Sequence, residues 1–109
     1  MREVGRLRIS TGQRLRSQVD ATELMVVRTV PEEIDLRCGG APLIDASEAP
    51  AADPELVPVP DAPAPQLGKR YTDPAGTLEL LVIKAGTGVL AVGGDALVIR
   101  SAKPLPASD

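Results

Sequence analysis

The sequence contains no histidine, tryptophan or phenylalanine, and Tyr71 is its single aromatic residue. Without imidazole, the usual general base beside a serine or cysteine nucleophile is missing. Without aromatic faces, the common base-stacking modules for RNA and single-stranded DNA are disfavoured. The interior must therefore be aliphatic, built from Leu, Ile, Val and Met. One cysteine, Cys38, excludes an internal disulfide and a multi-cysteine zinc site. No apolar run approaches the length of a membrane span, and the first twenty residues are too polar for a signal peptide. The cytoplasm is the expected location.

Charge is also missing in places. The chain of 109 residues carries a net charge of -3, which argues against a general polyanion binder. Residues 45–66 hold five acids and no Lys or Arg, whereas residues 1–19 hold five arginines and one acid. That asymmetry points to contact between arm and linker, or with a partner, beside the plainer reading of simple solvation. The acidic spacing in the linker is unlike a calcium loop. AGTGVLAVGG (Ala85–Gly94) contains no GxGxxG and no phosphate-loop lysine, so its glycines read as turn residues.

What is present is an internal echo. GQRLRSQVDATELMVVR (Gly12–Arg28) aligns without a gap on GKRYTDPAGTLELLVIK (Gly68–Lys84) at an offset of 56, with five of 17 positions identical. Unrelated segments of ordinary composition would share about one. Further on, LRCGGAPLI (Leu36–Ile44) falls on LAVGGDALV (Leu90–Val98), with Gly39-Gly40 over Gly93-Gly94. Two landmarks in the same order point to a duplication.

Each copy reads as three or four short strands. Thr22–Val30 and Leu78–Ala85 are rich in branched aliphatics on both alternating faces, which suits central strands covered on both sides. The Gly-Gly pairs read as tight hairpin turns. Gln13–Ser17 and Lys69–Thr72 read as edge strands, and Arg6–Ser10 as an extra strand with Leu7 and Ile9 on one face. The expected fold is mostly β: a small barrel or sandwich from two duplicated units about a pseudo-two-fold axis. The single domain 1–109 divides into unit one (12–45), an acidic proline-rich linker (46–67), unit two (68–100) and a short C-terminal tail (101–109). The stretch Ala46–Gln66 carries six of the eleven prolines, so an extended, mobile connector is expected, with Leu56–Val59 touching the core or serving as a docking peptide.

Few residues invite chemistry. Cys38 falls over Val92 and has no neighbouring base, which favours a small core residue over a nucleophile. Glu23 and Glu79 are repeat-equivalent and would form a carboxylate dyad if they met at the axis. Salt bridges from Arg14 to Glu23 and from Arg70 to Glu79 explain the same pattern more simply. Arg14, Arg70, Arg28 and Lys84 would alternatively line an anion site.

VDATELMVVR, IDLRCGGAPLI and LELLVIKAGTG together resemble a group of small uncharacterised actinobacterial proteins with a CGGxP hairpin. The resemblance covers residues 12–44 and 68–105. No activity attaches to the group, so it implies no site. Its members often carry additional cysteines near the positions of Val19 and Val82, and the valines here argue against a metal or redox role.

The expected function is a non-enzymatic binding or accessory subunit acting through protein–protein contact on a β surface or an edge strand. The alternative is a small-anion or small-ligand binding component of an enzyme, using Arg14, Arg70, Arg28, Lys84, Glu23 and Glu79. No cofactor, metal or membrane partner is expected, and nucleic acid is disfavoured. Homodimerisation through an edge strand is compatible with the pattern.

Overall fold

The computed structural model describes residues 6–100, which form eleven strands and no helix. In chain order these are β1 (Arg6–Arg8), β2 (Arg14–Arg16), β3 (Glu23–Arg28), β4 (Glu33–Cys38), β5 (Ala41–Pro42), β6 (Ile44–Asp45), β7 (Arg70–Thr72), β8 (Glu79–Lys84), β9 (Leu90–Val92), β10 (Asp95–Ala96) and β11 (Val98–Ile99). The expected C-terminal tail, 101–109, and the start of the arginine-rich arm lie outside the described residues.

The strands sort into two antiparallel sheets. One runs β1-β4-β9-β10, with β5 paired on β4, and the other runs β11-β7-β8-β3-β2-β6. The described strands do not close into a barrel. The two sheets share one aliphatic core in which Leu15, Leu24, Leu36, Leu43 and Leu80 are fully buried. Burial of each such side chain stabilises the fold by about 1.5–3 kcal/mol relative to exposure.

β3 and β8 pair at the centre of the six-stranded sheet, with Leu24 opposite Val82, Met25 opposite Leu81 and Val26 opposite Leu80. Their high content of branched aliphatic residues suits a pleated, packed surface. The register shifts near both ends of the ladder, which sets Glu23 opposite Lys84 and Arg28 opposite Glu79. Such shifts re-aim side chains, and here each one places unlike charges across from each other. On either side of this pair the registers match at the offset of 56: Leu15 lies opposite Leu24 on one flank, and Tyr71 opposite Leu80 on the other. In the smaller sheet, Leu36 lies opposite Val92 and Cys38 opposite Leu90.

Two sequence expectations are corrected. β2 and β7 are interior strands rather than edges, because β6 and β11 add outside them. This happens because each Gly-Gly hairpin does not end in one sheet. Leu43 and Leu97 are buried corners whose N–H groups donate to the carbonyls of Leu36 and Leu90, at 2.9 Å each, and carry the chain across to the other sheet. The true edges of the large sheet are thus two residues long. Second, β3 is covered on one face only. Leu24 and Val26 are buried, whereas Met25 and Val27 on the other face are half-buried.

The proline-rich segment has no strand, and Val57 within Leu56–Val59 touches the core as one reading expected; the segment is tied down at several points. The Val57 N–H donates to the Gly40 carbonyl at 2.9 Å, the Ala51 N–H to Gln18 Oε1 at 2.8 Å, and the Gln66 N–H to the Tyr71 hydroxyl at 2.8 Å. Beneath it, Arg37 on the outer face of β4 is only 5% exposed. Its guanidinium donates to Asp35 Oδ1 at 2.9 Å and to the carbonyls of Gly40 at 3.0 Å and Glu55 at 3.4 Å. A buried charge needs such partners, so Arg37 and the segment covering it stabilise each other.

Gly40 joins the hairpin to this cover. Its φ is +88°, and a Cβ there would lie 2.5 Å from the Val57 carbonyl oxygen. Gly40→Ala is therefore expected to destabilise the protein by more than about 1 kcal/mol. Urea denaturation should show a lower midpoint, and an unchanged midpoint would mean that the segment does not sit on this turn.

Candidate functional site

The half-buried face of the six-stranded sheet gathers all six residues nominated from the sequence. Antiparallel partners project to the same side of a sheet. Arg14 lies opposite Met25, Met25 opposite Leu81, and Leu81 opposite Arg70, so four side chains form one row across β2, β3, β8 and β7. With neighbouring strands about 4.8 Å apart, the two arginines stand roughly 14 Å from each other at their Cα atoms. Between them, Met25, Val27, Leu81 and Ile83 form an apolar strip that is half-buried rather than sealed. Arg14, Arg28, Arg70 and Lys84 are exposed around it.

The glutamates do not meet. Glu23 and Glu79 occupy opposite ends of the β3–β8 ladder, so the carboxylate dyad does not form. Glu79 is 3% exposed and lies beneath two exposed arginines, with Arg70 Nη1 at 3.3 Å and Arg100 Nη1 at 2.9 Å. The expected Arg70–Glu79 bridge is thus present and has a second cation. An Arg14–Glu23 bridge is absent among the described residues, because the register sets Arg14 against Met25 and Arg16 against Glu23. Nor do the four cations converge. Arg14 and Arg70 straddle the apolar strip, while Arg28 and Lys84 each face a glutamate.

A second cluster was missed from the sequence. The Asp20 carboxylate reaches across to the AGTG loop, where Oδ2 accepts the N–H groups of Thr87, at 2.8 Å, and of Gly88. Its Oδ1 accepts the Thr22 N–H at 3.0 Å. The Ser17 hydroxyl accepts the N–H groups of Val19 and Asp20, and Thr22 Oγ1 is buried beside them without a hydrogen-bond partner. A Cβ on Gly88 would lie 2.8 Å from Gly39 N and 2.9 Å from Cys38 Sγ, so the loop can approach this closely only with glycine. The glycine loop does bind an anion, and the anion is the protein's own. Partial burial opposes ionisation of Asp20, but hydrogen bonds from Thr22, Ser17 and Gly88 outweigh it and hold the carboxyl at about 2, below its ordinary 3.8.

Cys38 is fully buried next to this carboxylate, its Sγ 3.6 Å from the Gly88 carbonyl. Burial first, and the Asp20 charge second, push its thiol up to about 11. It is a core residue and a poor nucleophile. On another side of the molecule, Glu32, Glu33, Asp35 and Asp73 line an open cleft of ≈ 550 Å³. Among the described residues no three His, Cys, Asp or Glu side chains are grouped to hold a metal ion. No helix there is long and apolar enough to cross a membrane.

The chain matches no protein-family model, no curated protein and no solved structure.

Asp20→Asn is expected to lower stability by about 1.5–3 kcal/mol at neutral pH, the range for hydrogen bonds to a charged group. Because the folded pKa is depressed, the wild-type advantage is complete above pH 3.8 and is lost as pH falls towards about 2. Denaturation of both proteins across that range should show the gap closing, and a constant gap would contradict the assignment. Cys38 should resist iodoacetamide at pH 8 while folded and react once unfolded in urea, as read by intact mass. Full labelling of the native protein would show the thiol to be accessible.

Proposed function

We propose that this protein is a non-enzymatic binding or accessory subunit that acts through protein–protein contact on the outer face of its six-stranded sheet. The row Arg14–Met25–Leu81–Arg70 carries the reading. Apolar side chains at the centre of a sheet face, rimmed by exposed guanidinium groups, match the composition of protein interfaces, where Met and Arg are enriched. The other features support it by being otherwise employed. Asp20 is consumed by its own loop, Cys38 is core, and Arg37 is held under the linker. The small-anion alternative is less well supported, because the four cations are spread about the strip instead of converging.

The symmetry of this face has a simple origin in the proposed duplication. Met25 and Leu81, equivalent by sequence, lie opposite each other, and Arg37 and Ala91, equivalent in the second landmark, do the same in the smaller sheet. The turns agree as well: Gly12 N–H donates to Val26 O, and Gly68 N–H to Val82 O. These matches support a pseudo-two-fold axis through both sheets. An experimental structure in which no single rotation exchanges Met25 with Leu81 and residues 12–44 with 68–100 would overturn it.

A photo-crosslinking group at position 25, compared with one at position 56 in the linker, tests the function. A stoichiometric protein adduct from position 25 only is expected. No adduct at position 25, together with a small anion retained in native mass spectra, would favour the alternative.

A further inference from the structure

Resting on the protein-binding reading above, we propose that the occupant of this face is an acidic amphipathic helix, with carboxylates on both flanks of an apolar stripe. Charge and backbone chemistry point to it independently.

Four exposed cations ring the apolar centre. Arg14 and Arg70 face each other across the strands, roughly 14 Å apart, and Arg28 and Lys84 stand at the two ends of the ladder, roughly 17 Å apart. Glu79, inside the ring, is covered by Arg70 and Arg100, and half-buried Glu23 at the far end lies between Arg16 on β2 and Lys84 on β8, so cations outnumber acids on this face. The whole chain is nevertheless acidic, at net -3. The face is therefore a local cationic zone on an acidic protein, and its complement carries carboxylates at its rim. A second copy of this chain is a poor occupant in the same orientation, because it would bring arginines against arginines. The chain's own acidic linker is engaged elsewhere, on the smaller sheet over Arg37 and Gly40.

The middle of the face offers only side chains, since β3 and β8 are each hydrogen-bonded on both edges. An extended peptide laid there would leave its backbone N–H and C=O groups without partners on an apolar strip, which is costly. A helix satisfies its own backbone. Its apolar stripe, about 100° wide, covers Met25, Val27, Leu81 and Ile83, while acids on its flanks reach the surrounding cations.

The test uses the full chain and a synthetic 18-residue helix with a leucine stripe flanked by glutamates, beside the same peptide with lysine in place of every glutamate. The acidic peptide is expected to bind, to shift the methyl resonance of Met25, and to lose at least tenfold in affinity when salt rises from about 50 to 500 mM. The double variant Arg14→Glu, Arg70→Glu should weaken it at least tenfold, and Arg8→Glu on the other sheet should not. If the double variant fails to fold, the Met25 methyl shift in the unaltered protein decides. Equal binding of the lysine peptide, no Met25 shift, or binding that survives the double reversal would each overturn the proposal. So would preferential binding to phosphatidylserine vesicles, which would make the face a lipid contact. A native partner crosslinked at position 25 through a basic or extended segment would sink the helix while leaving the protein-binding reading intact. Absence of any partner there would sink both.

Discussion

The antiparallel ladder between β3 and β8 joins the two halves of the chain, and both surfaces of the large sheet follow from its register. Leu24 opposite Val82 and Val26 opposite Leu80 turn inward and are sealed by Leu15 and Tyr71 from the flanking strands. The alternate positions necessarily turn outward, because side-chain direction has a period of two. A slip of one residue would expose the leucines and bury Met25 and Leu81 among charges. The same constraint that closes the core therefore presents the apolar strip, and the shifts at the ladder ends complete its cationic ring.

The smaller sheet is finished differently. Its inner side joins the common core through Leu36, Cys38 and Leu90, while its outer side holds Arg37, a residue that alone would be intolerable there. Carbonyls from Gly40 and Glu55 and the Asp35 carboxylate satisfy the guanidinium, and the proline-rich segment shields it. Proline suits such a cover. It has no N–H to leave unpaired and loses little conformational freedom on ordering. A segment with the composition of a free linker thus becomes a layer of the fold.

Much of the candidate surface was legible in the residues. The offset of 56 put Arg14 with Arg70, Glu23 with Glu79 and Arg28 with Lys84, and all six lie on one sheet face. Their pairing was not legible. A diagonal neighbour and a direct neighbour look alike in one dimension, so Arg14 seemed destined for Glu23 but faces Met25. Asp20 was overlooked for a related reason. Its short-range turn with Thr22 leaves a local signature, but its partners Thr87 and Gly88 lie more than sixty residues away, and backbone N–H groups carry no residue identity.

Composition and periodicity by themselves determined an aliphatic, all-β chain with Gly-Gly hairpins, a core cysteine and a proline-rich insert. Those properties are local: β-branching, positive φ and missing backbone donors act over a few residues. Only the tertiary structure decided that β2 and β7 are interior, that Glu23 and Glu79 stand apart, that the insert covers Arg37, and which side of β3 faces outward. Each of these depends on which strand lies beside which. That choice is made by burying the most aliphatic surface at once, a quantity belonging to the whole chain and to no segment of it.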